Sequence, residues 1–144
     1  MPFVRVWVHL IWSTKNRQKI ISDELKMKLI EHIKINAKEK NIWIDSINSV
    51  SDHIHILVSL GGEQSVSKVV MLIKGESSHW INKSSLLAQK FEWQDEYIAL
   101  SVSESIVDKV RKYILSQVEH HQRKSFSEEY DEFLKKFGVE ITNV

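Results

Sequence analysis

An α+β fold is predicted by three features of the sequence. Alternating apolar stretches recur at residues 3–12, 43–50, 53–60 and 97–102. Helical apolar spacing fills the intervals 22–41 and 65–83. Only Ser51 and Asp52 separate the second and third strands, a short link that points to an antiparallel hairpin.

Each element follows from its side-chain period. In FVRVWVHLIW (3–12), Val4, Val6, Val8 and Leu10 share one face, and Phe3, Arg5, Trp7 and His9 the other. SDELKMKLIEHIKINAKEKN (22–41) places Leu25, Leu29, Ile33 and Ala37 on one helical stripe, with Ser22 or Asp23 as N-cap. WIDSINSV (43–50) and HIHILVSL (53–60) form the hairpin, which Gly61-Gly62 ends. From about Ser65 to Lys83, Val66, Val69, Val70, Ile73 and Ile81 supply a second apolar stripe. YIALSV (97–102) is the fourth strand. From Ser103, ESIVDKVRKYILSQVEHHQRK aligns Ile106, Val110, Ile114 and Val118 on a third helix, and the acidic amphipathic segment SEEYDEFLKKFG closes the chain. The order βαββαβ, then a helix, is the ferredoxin-like or RRM-like arrangement: one antiparallel sheet with two helices on one face and an additional C-terminal helix near the other.

The 144 residues suit a single domain, 1–144, with a real core. With no cysteine, disulfides, zinc–thiolate sites and cysteine nucleophiles are excluded. Twenty Lys and Arg stand against 19 Asp and Glu, a balance that neither demands nor excludes nucleic acid. The absence of a charged leader or a membrane-length apolar run predicts a cytoplasmic protein without a membrane partner.

The stretch DHIHILV (52–58) carries the first chemical signal. Residues two apart on a strand share a face, so His53, His55, Leu57 and Ser59 point one way and Ile54, Ile56, Val58 and Leu60 the other. Two adjacent imidazoles suit a divalent cation, and equally suit a solvated strand face. Tyr113 and Gln117, one helical turn apart, are neighbours on the third helix. Two imidazoles and an amide oxygen can hold a cation with positions left open for a phosphate, and a tyrosine oxygen can act as nucleophile. A tyrosine flanking the core stripe and a solvated glutamine fit the same residues.

The pairing of His53-Ile54-His55 with Tyr113-Ile-Leu-Ser-Gln117 resembles the single-tyrosine HUH transposases of small insertion sequences, the IS200-like group. The likeness covers nearly the whole chain, through HLIWSTKNRQ, SVSKVVMLIKGESSHWIN, FEWQDEYIALSVS and VRKYILSQVEHHQRKSF, with no departure at the four motif positions. It implies a DNA transposase acting on single-stranded DNA with hairpin ends. Tyr113 would be the nucleophile that forms a 5′-phosphotyrosine, and His53, His55 and Gln117 would hold Mg²⁺ or Mn²⁺, with no small-molecule cofactor. It also implies a homodimer, for which the apolar first strand offers an exposed edge.

Lys15, Arg17 and Lys19 after the first strand, Lys68 and Lys74 on the second helix, and Arg111, Lys112, Arg123 and Lys124 on the third are candidate phosphate contacts. Trp80 and Trp93 are the candidates for base stacking, whereas Trp7, Trp12 and Trp43 read as core. His9, His120 and His121 read as structural or DNA-proximal and not as ligands. Tyr97 and Tyr130 lack a glutamine four residues later. Two other classes share the fold: a non-catalytic or domesticated single-stranded nucleic-acid binder, and a metal phosphoesterase that uses water. The binder lacks an aromatic pair of the expected type on strands one and three. Tyr113→Phe separates all three, since a hydrolase keeps cutting and a binder never cuts.

Overall fold

Ser22 Oγ accepts a hydrogen bond from Leu25 N at 3.1 Å and so starts helix α1 (Asp23–Glu39). Asp23 and Glu24 in its first turn oppose the helix dipole. The same device recurs at α2 (Val66–Lys83), where Ser65 Oγ accepts from Lys68 N. The computed structural model describes residues 3–117, with Glu128 and Lys135 beyond them. Its strands are β1 (Val6–Ser13), β2 (Trp43–Ser49), β3 (His53–Leu60) and β4 (Ile98–Val102). A third helix, α3 (Val107–Leu115), follows a 3-10 turn at Glu104–Ile106. The expected continuation of the third helix through Val118, His120, His121, Arg123 and Lys124, and the terminal segment with Tyr130, lie outside the described residues.

The four strands form one antiparallel sheet in the order β2-β3-β1-β4. This corrects the expectation that the first strand offers an edge: β1 pairs with β3 on one side and β4 on the other. It also starts later than its alternation suggests. Phe3, Val4 and Arg5 precede it, and Phe3 is 83% exposed. An apolar residue at the start of a strand pattern is not held there unless a partner strand reaches it.

Period two divides the sheet's faces as the sequence predicts. Val8, Leu10 and Trp12 of β1 and Ile54, Ile56, Val58 and Leu60 of β3 enter the larger core. Leu25, Leu29, Ile33 and Ala37 of α1 and Val69, Val70, Ile73 and Ile81 of α2 cover them. On the other face Leu57 and Val102 meet Val107, Val110 and Ile114 of α3. Among the described residues no helix is long and apolar enough to cross a membrane.

Leu29 is fully buried between helix and sheet. Leu29→Ala should lower the unfolding free energy by about 3 kcal/mol, the ordinary cost of such a cavity. Urea unfolding measures this, and a loss below about 1 kcal/mol would show that α1 contributes little to the core.

Candidate active site

Strand β3 carries its polar pair into a closed environment. His53 and His55 are both buried, as is Asp52 before them. His53 Nδ1 lies 2.7 Å from Asp52 Oδ1. An ionised carboxylate only accepts, so Nδ1 carries the proton in this bond, and in the neutral ring Nε2 has the lone pair. His55 Nδ1 lies 3.0 Å from His9 Nε2 on the neighbouring strand. The two β3 rings stand edge to face with centroids 5.1 Å apart.

Helix α3 brings the second half of the motif to this pair. The Tyr113 ring stands edge-on to His55 at 5.7 Å and to His9 at 6.2 Å between centroids. Gln117 is fully buried, and its Nε2 donates to the Tyr113 carbonyl at 3.2 Å. Its Oε1 is buried with no hydrogen-bond partner among the described residues. A buried amide oxygen left in this way usually marks an absent ligand or water. The Nε2 atoms of His53 and His55 are buried as well, and imidazole nitrogens and amide oxygens are donor types that a divalent cation accepts. Among the described residues no group of three or more His, Cys, Asp or Glu is arranged to hold a metal.

Three residues of β2 and α3 fix that approach. Asn48 Nδ2 donates to Ile114 O at 2.9 Å and to Leu115 O at 3.3 Å, satisfying carbonyls at the C-terminal end of α3. Arg111 Nε and Nη2 donate to Asp45 Oδ1 and Oδ2 at 2.8 and 2.9 Å, and its Nη1 to Asp108 at 2.6 Å. The two-pronged bond from Arg111 holds the Asp45 carboxyl below its usual pKa, and Asp45 raises that of Arg111 in return. Burial alone pushes the His9 imidazole down to about 3, so it is neutral at physiological pH.

The expected phosphate contacts divide into two groups. Lys19, Lys68 and Lys112 are exposed. Lys15 pairs with Glu92 at 3.2 Å, and Arg17 is exposed in a turn with φ of 52°. Thr14 N donates to Asp52 O at 2.8 Å, which sets the 15–19 segment beside the histidine end of β3. Lys74 and Arg111 differ from the expectation. Lys74 Nζ is half-buried and donates to the carbonyls of Gln94 and Asp95, and Arg111 is committed to two carboxylates. Arg123 lies outside the described residues.

The tryptophan assignments are partly reversed. Trp93, expected to stack on bases, is 7% exposed in the core against Trp12 and Phe91, and its Nε1 donates to Ser77. Trp80 lies flat on His32 at 4.0 Å. Trp43, expected in the core, is 68% exposed because β2 is an edge strand. Trp12 is core as expected, and the half-buried Trp7 donates to Glu104. Tyr97 lies at a separate cleft of about 410 Å³ between α2 and residues 92–97.

Sequence reasoning missed the supports: Asp52, Asn48, Asp45 and the bond from His9. The alternation of β1 already put His9 on the face opposite the core, which was the available signal for it. The contacts from β2 across to α3 had none, because they depend on helix placement.

Against known proteins, the family model described as "Transposase IS200 like" matches residues 3–117. The chain is 28% identical over 115 residues to the ISDra2 transposase TnpA of Deinococcus radiodurans, covering 76% of this chain and 81% of that one. A crystal structure of a candidate transposase from D. radiodurans R1 superposes with a TM-score of 0.66 at 24% identity, covering 81% of this chain and 93% of that one. A REP-associated tyrosine transposase bound to a REP hairpin superposes with a TM-score of 0.62 at 16% identity, covering 84% and 72%. Both structures show that the fold is shared.

Asp45→Asn should cost roughly 1 kcal/mol at neutral pH, as expected for a partly exposed ion pair. The folded carboxyl titrates below the ordinary 3.8. Its stabilisation is therefore complete above about pH 4 and lost as pH falls through the lowered folded value. Urea unfolding across that range should show wild type and variant converging in acid; a gap that stays constant would contradict the ion-pair account.

Proposed function

The chain belongs to the IS200-like transposase family, and from that premise we propose that it cleaves and rejoins single-stranded DNA with Tyr113 as nucleophile. The observation that carries this reading is the convergence of the Tyr113 ring on the buried His55, one helical turn from the uncompensated Gln117 oxygen. A ferredoxin-like sheet serves the task because it presents one face to helices and the other to the reacting groups.

The hydroxyl of tyrosine has an unperturbed pKa of about 10 and is a weak nucleophile at neutral pH. His53 Nε2, His55 Nε2 and Gln117 Oε1 would hold Mg²⁺ or Mn²⁺. Bound there, the cation would withdraw charge from a phosphoryl oxygen of the scissile linkage. Asp52 fixes the tautomer of His53, and Asn48 with the Asp45–Arg111 pair fixes α3 relative to the histidines. In the proposed step Tyr113 Oη forms a bond to phosphorus and loses its proton. The bond from phosphorus to the 3′ oxygen breaks, and that oxygen leaves protonated as a free 3′-hydroxyl. One phosphodiester replaces another, so a returning 3′-hydroxyl reverses the step, and phenolate departs more readily than an alkoxide. Water would end this exchange, which is why a tyrosine suits strand transfer better than hydrolysis.

The DNA partner is proposed to be single-stranded with hairpin ends, in keeping with the neighbour bound to a REP hairpin. Lys15, Arg17, Lys19, Lys112 and Arg123 are the proposed phosphate contacts, each expected to lessen the salt dependence of binding when removed. The functional unit is proposed to be a homodimer of a cytoplasmic protein, on the family likeness alone.

Two experiments test the reading. With Mn²⁺ and 3′-labelled single-stranded DNA from the flanks of the gene, label should stay on denatured wild-type protein and not on Tyr113→Phe. Capture by the variant, or an adduct at Tyr97 or Tyr130, would overturn the assignment. In calorimetry, Mn²⁺ should bind the wild type once per chain, and His53→Ala should weaken that binding at least tenfold. Unchanged affinity would remove His53 from the ligand set.

A further inference from the structure

One buried ionisable group beside the site has no part in the mechanism above. His9 sits at the middle of the central strand, fully buried, opposite Leu57 and diagonal to His55 on the same sheet face. Its ring centroid lies 5.2 Å from that of His55, and a hydrogen bond of 3.0 Å joins His9 Nε2 to His55 Nδ1.

We propose that His9 is a positioning residue: its Nε2 accepts the Nδ1 proton of His55 and thereby holds His55 in the tautomer whose Nε2 is unprotonated. The inference rests on reading His53 and His55 as cation ligands.

With both imidazoles neutral, one proton lies between them and two arrangements exist. If His9 donates, His55 Nδ1 accepts, and His55 Nε2 must carry a hydrogen and cannot bind a cation. If His55 donates, its Nε2 keeps the lone pair. His53 supplies the internal standard. Its Nδ1 lies against the Asp52 carboxylate, an acceptor only, so in the neutral ring its Nε2 carries no hydrogen. The same pattern at His55 gives two matched Nε2 donors from residues two apart on one strand. The supports differ because their positions do. Asp52 stands at the strand's end, whereas His9 lies between two paired strands and beneath the Tyr113 ring. A carboxylate there would be a buried charge, costly without a partner. A neutral imidazole gives an acceptor of fixed direction without that charge, and its second contact with Tyr113 ties the ligand and the nucleophile to one ring.

The test reads the tautomer directly. In metal-free, ¹⁵N-histidine-labelled protein at neutral pH, long-range ¹H–¹⁵N correlations should show His55 as the Nδ1–H form. Titration with Mn²⁺ should then give an affinity that falls at least tenfold in His9→Phe, with the His55 signal moving toward Nε2–H. His9→Gln, which places an amide oxygen near the former Nε2 position, should restore both. An Nε2–H signal for His55 in wild type that binds Mn²⁺ would overturn the His9 inference alone. An Nδ1–H signal in wild type that takes up no Mn²⁺ would sink the cation site, and with it the purpose of the support. Should His9→Phe fail to fold, the wild-type tautomer and the Gln variant decide the matter; a Gln variant with lost affinity or the Nε2–H form would count against it.

Discussion

Strand β3 is enclosed on both faces, and the rest of the structure answers to that constraint. One face is continuous apolar side chain and needs only a core to enter. The other places two imidazoles where water is excluded, and a buried polar ring is tolerated only when its nitrogens are engaged. Asp52 meets one from the preceding turn and His9 meets the other from β1. The sheet order follows from the same need. A histidine on β1 can reach β3 only if the two are adjacent, and the apolar alternation of both strands secures that pairing independently.

Helix α3 is attached differently. Among the described residues, its apolar side chains meet a small patch of the sheet, Leu57 and Val102 with the half-buried Trp7 beside them. Direction and depth are supplied by polar groups of β2: Asn48 receives the helix end, and Asp45 grips Arg111. An apolar stripe sets which face of the helix is buried, and a two-pronged ion pair and a capped terminus add directional contacts that fix its position more narrowly. The edge strand therefore acts on Tyr113 at one remove, by setting the position of the helix that bears it.

Much of this was legible in the chain. Serines 22 and 65 announced two helix starts, and the alternation in 53–60 assigned every β3 residue to its observed face. Spacing and likeness single out four motif residues, and of these the Tyr113 ring lies edge-on to His55 while Gln117 bonds back to the Tyr113 carbonyl. What failed depended on third-dimensional neighbours. Strand order is not a local property, so sequence pattern alone points to an edge at β1 and a core position for Trp43, where the structure has a central strand and an exposed side chain. Trp93 lies in a segment without regular period, and its burial comes from Thr14 pairing with it across the fold. Arg111 looked like a cation available to phosphate because Asp45, far away in sequence, could not be seen beside it.

The unequal size of the two packing clusters has a kinetic meaning. The larger binds both long helices to the sheet, so exposing it amounts to unfolding the molecule. The smaller joins α3 to the sheet through a handful of side chains, and separating it would leave the main core closed. Among the described residues, local opening of α3 is therefore expected to cost less than opening of β1 and β3, and its backbone amides to exchange with solvent sooner. The tyrosine rides on the part of the protein that is least expensive to detach, while the histidines are fixed in the part that is most expensive.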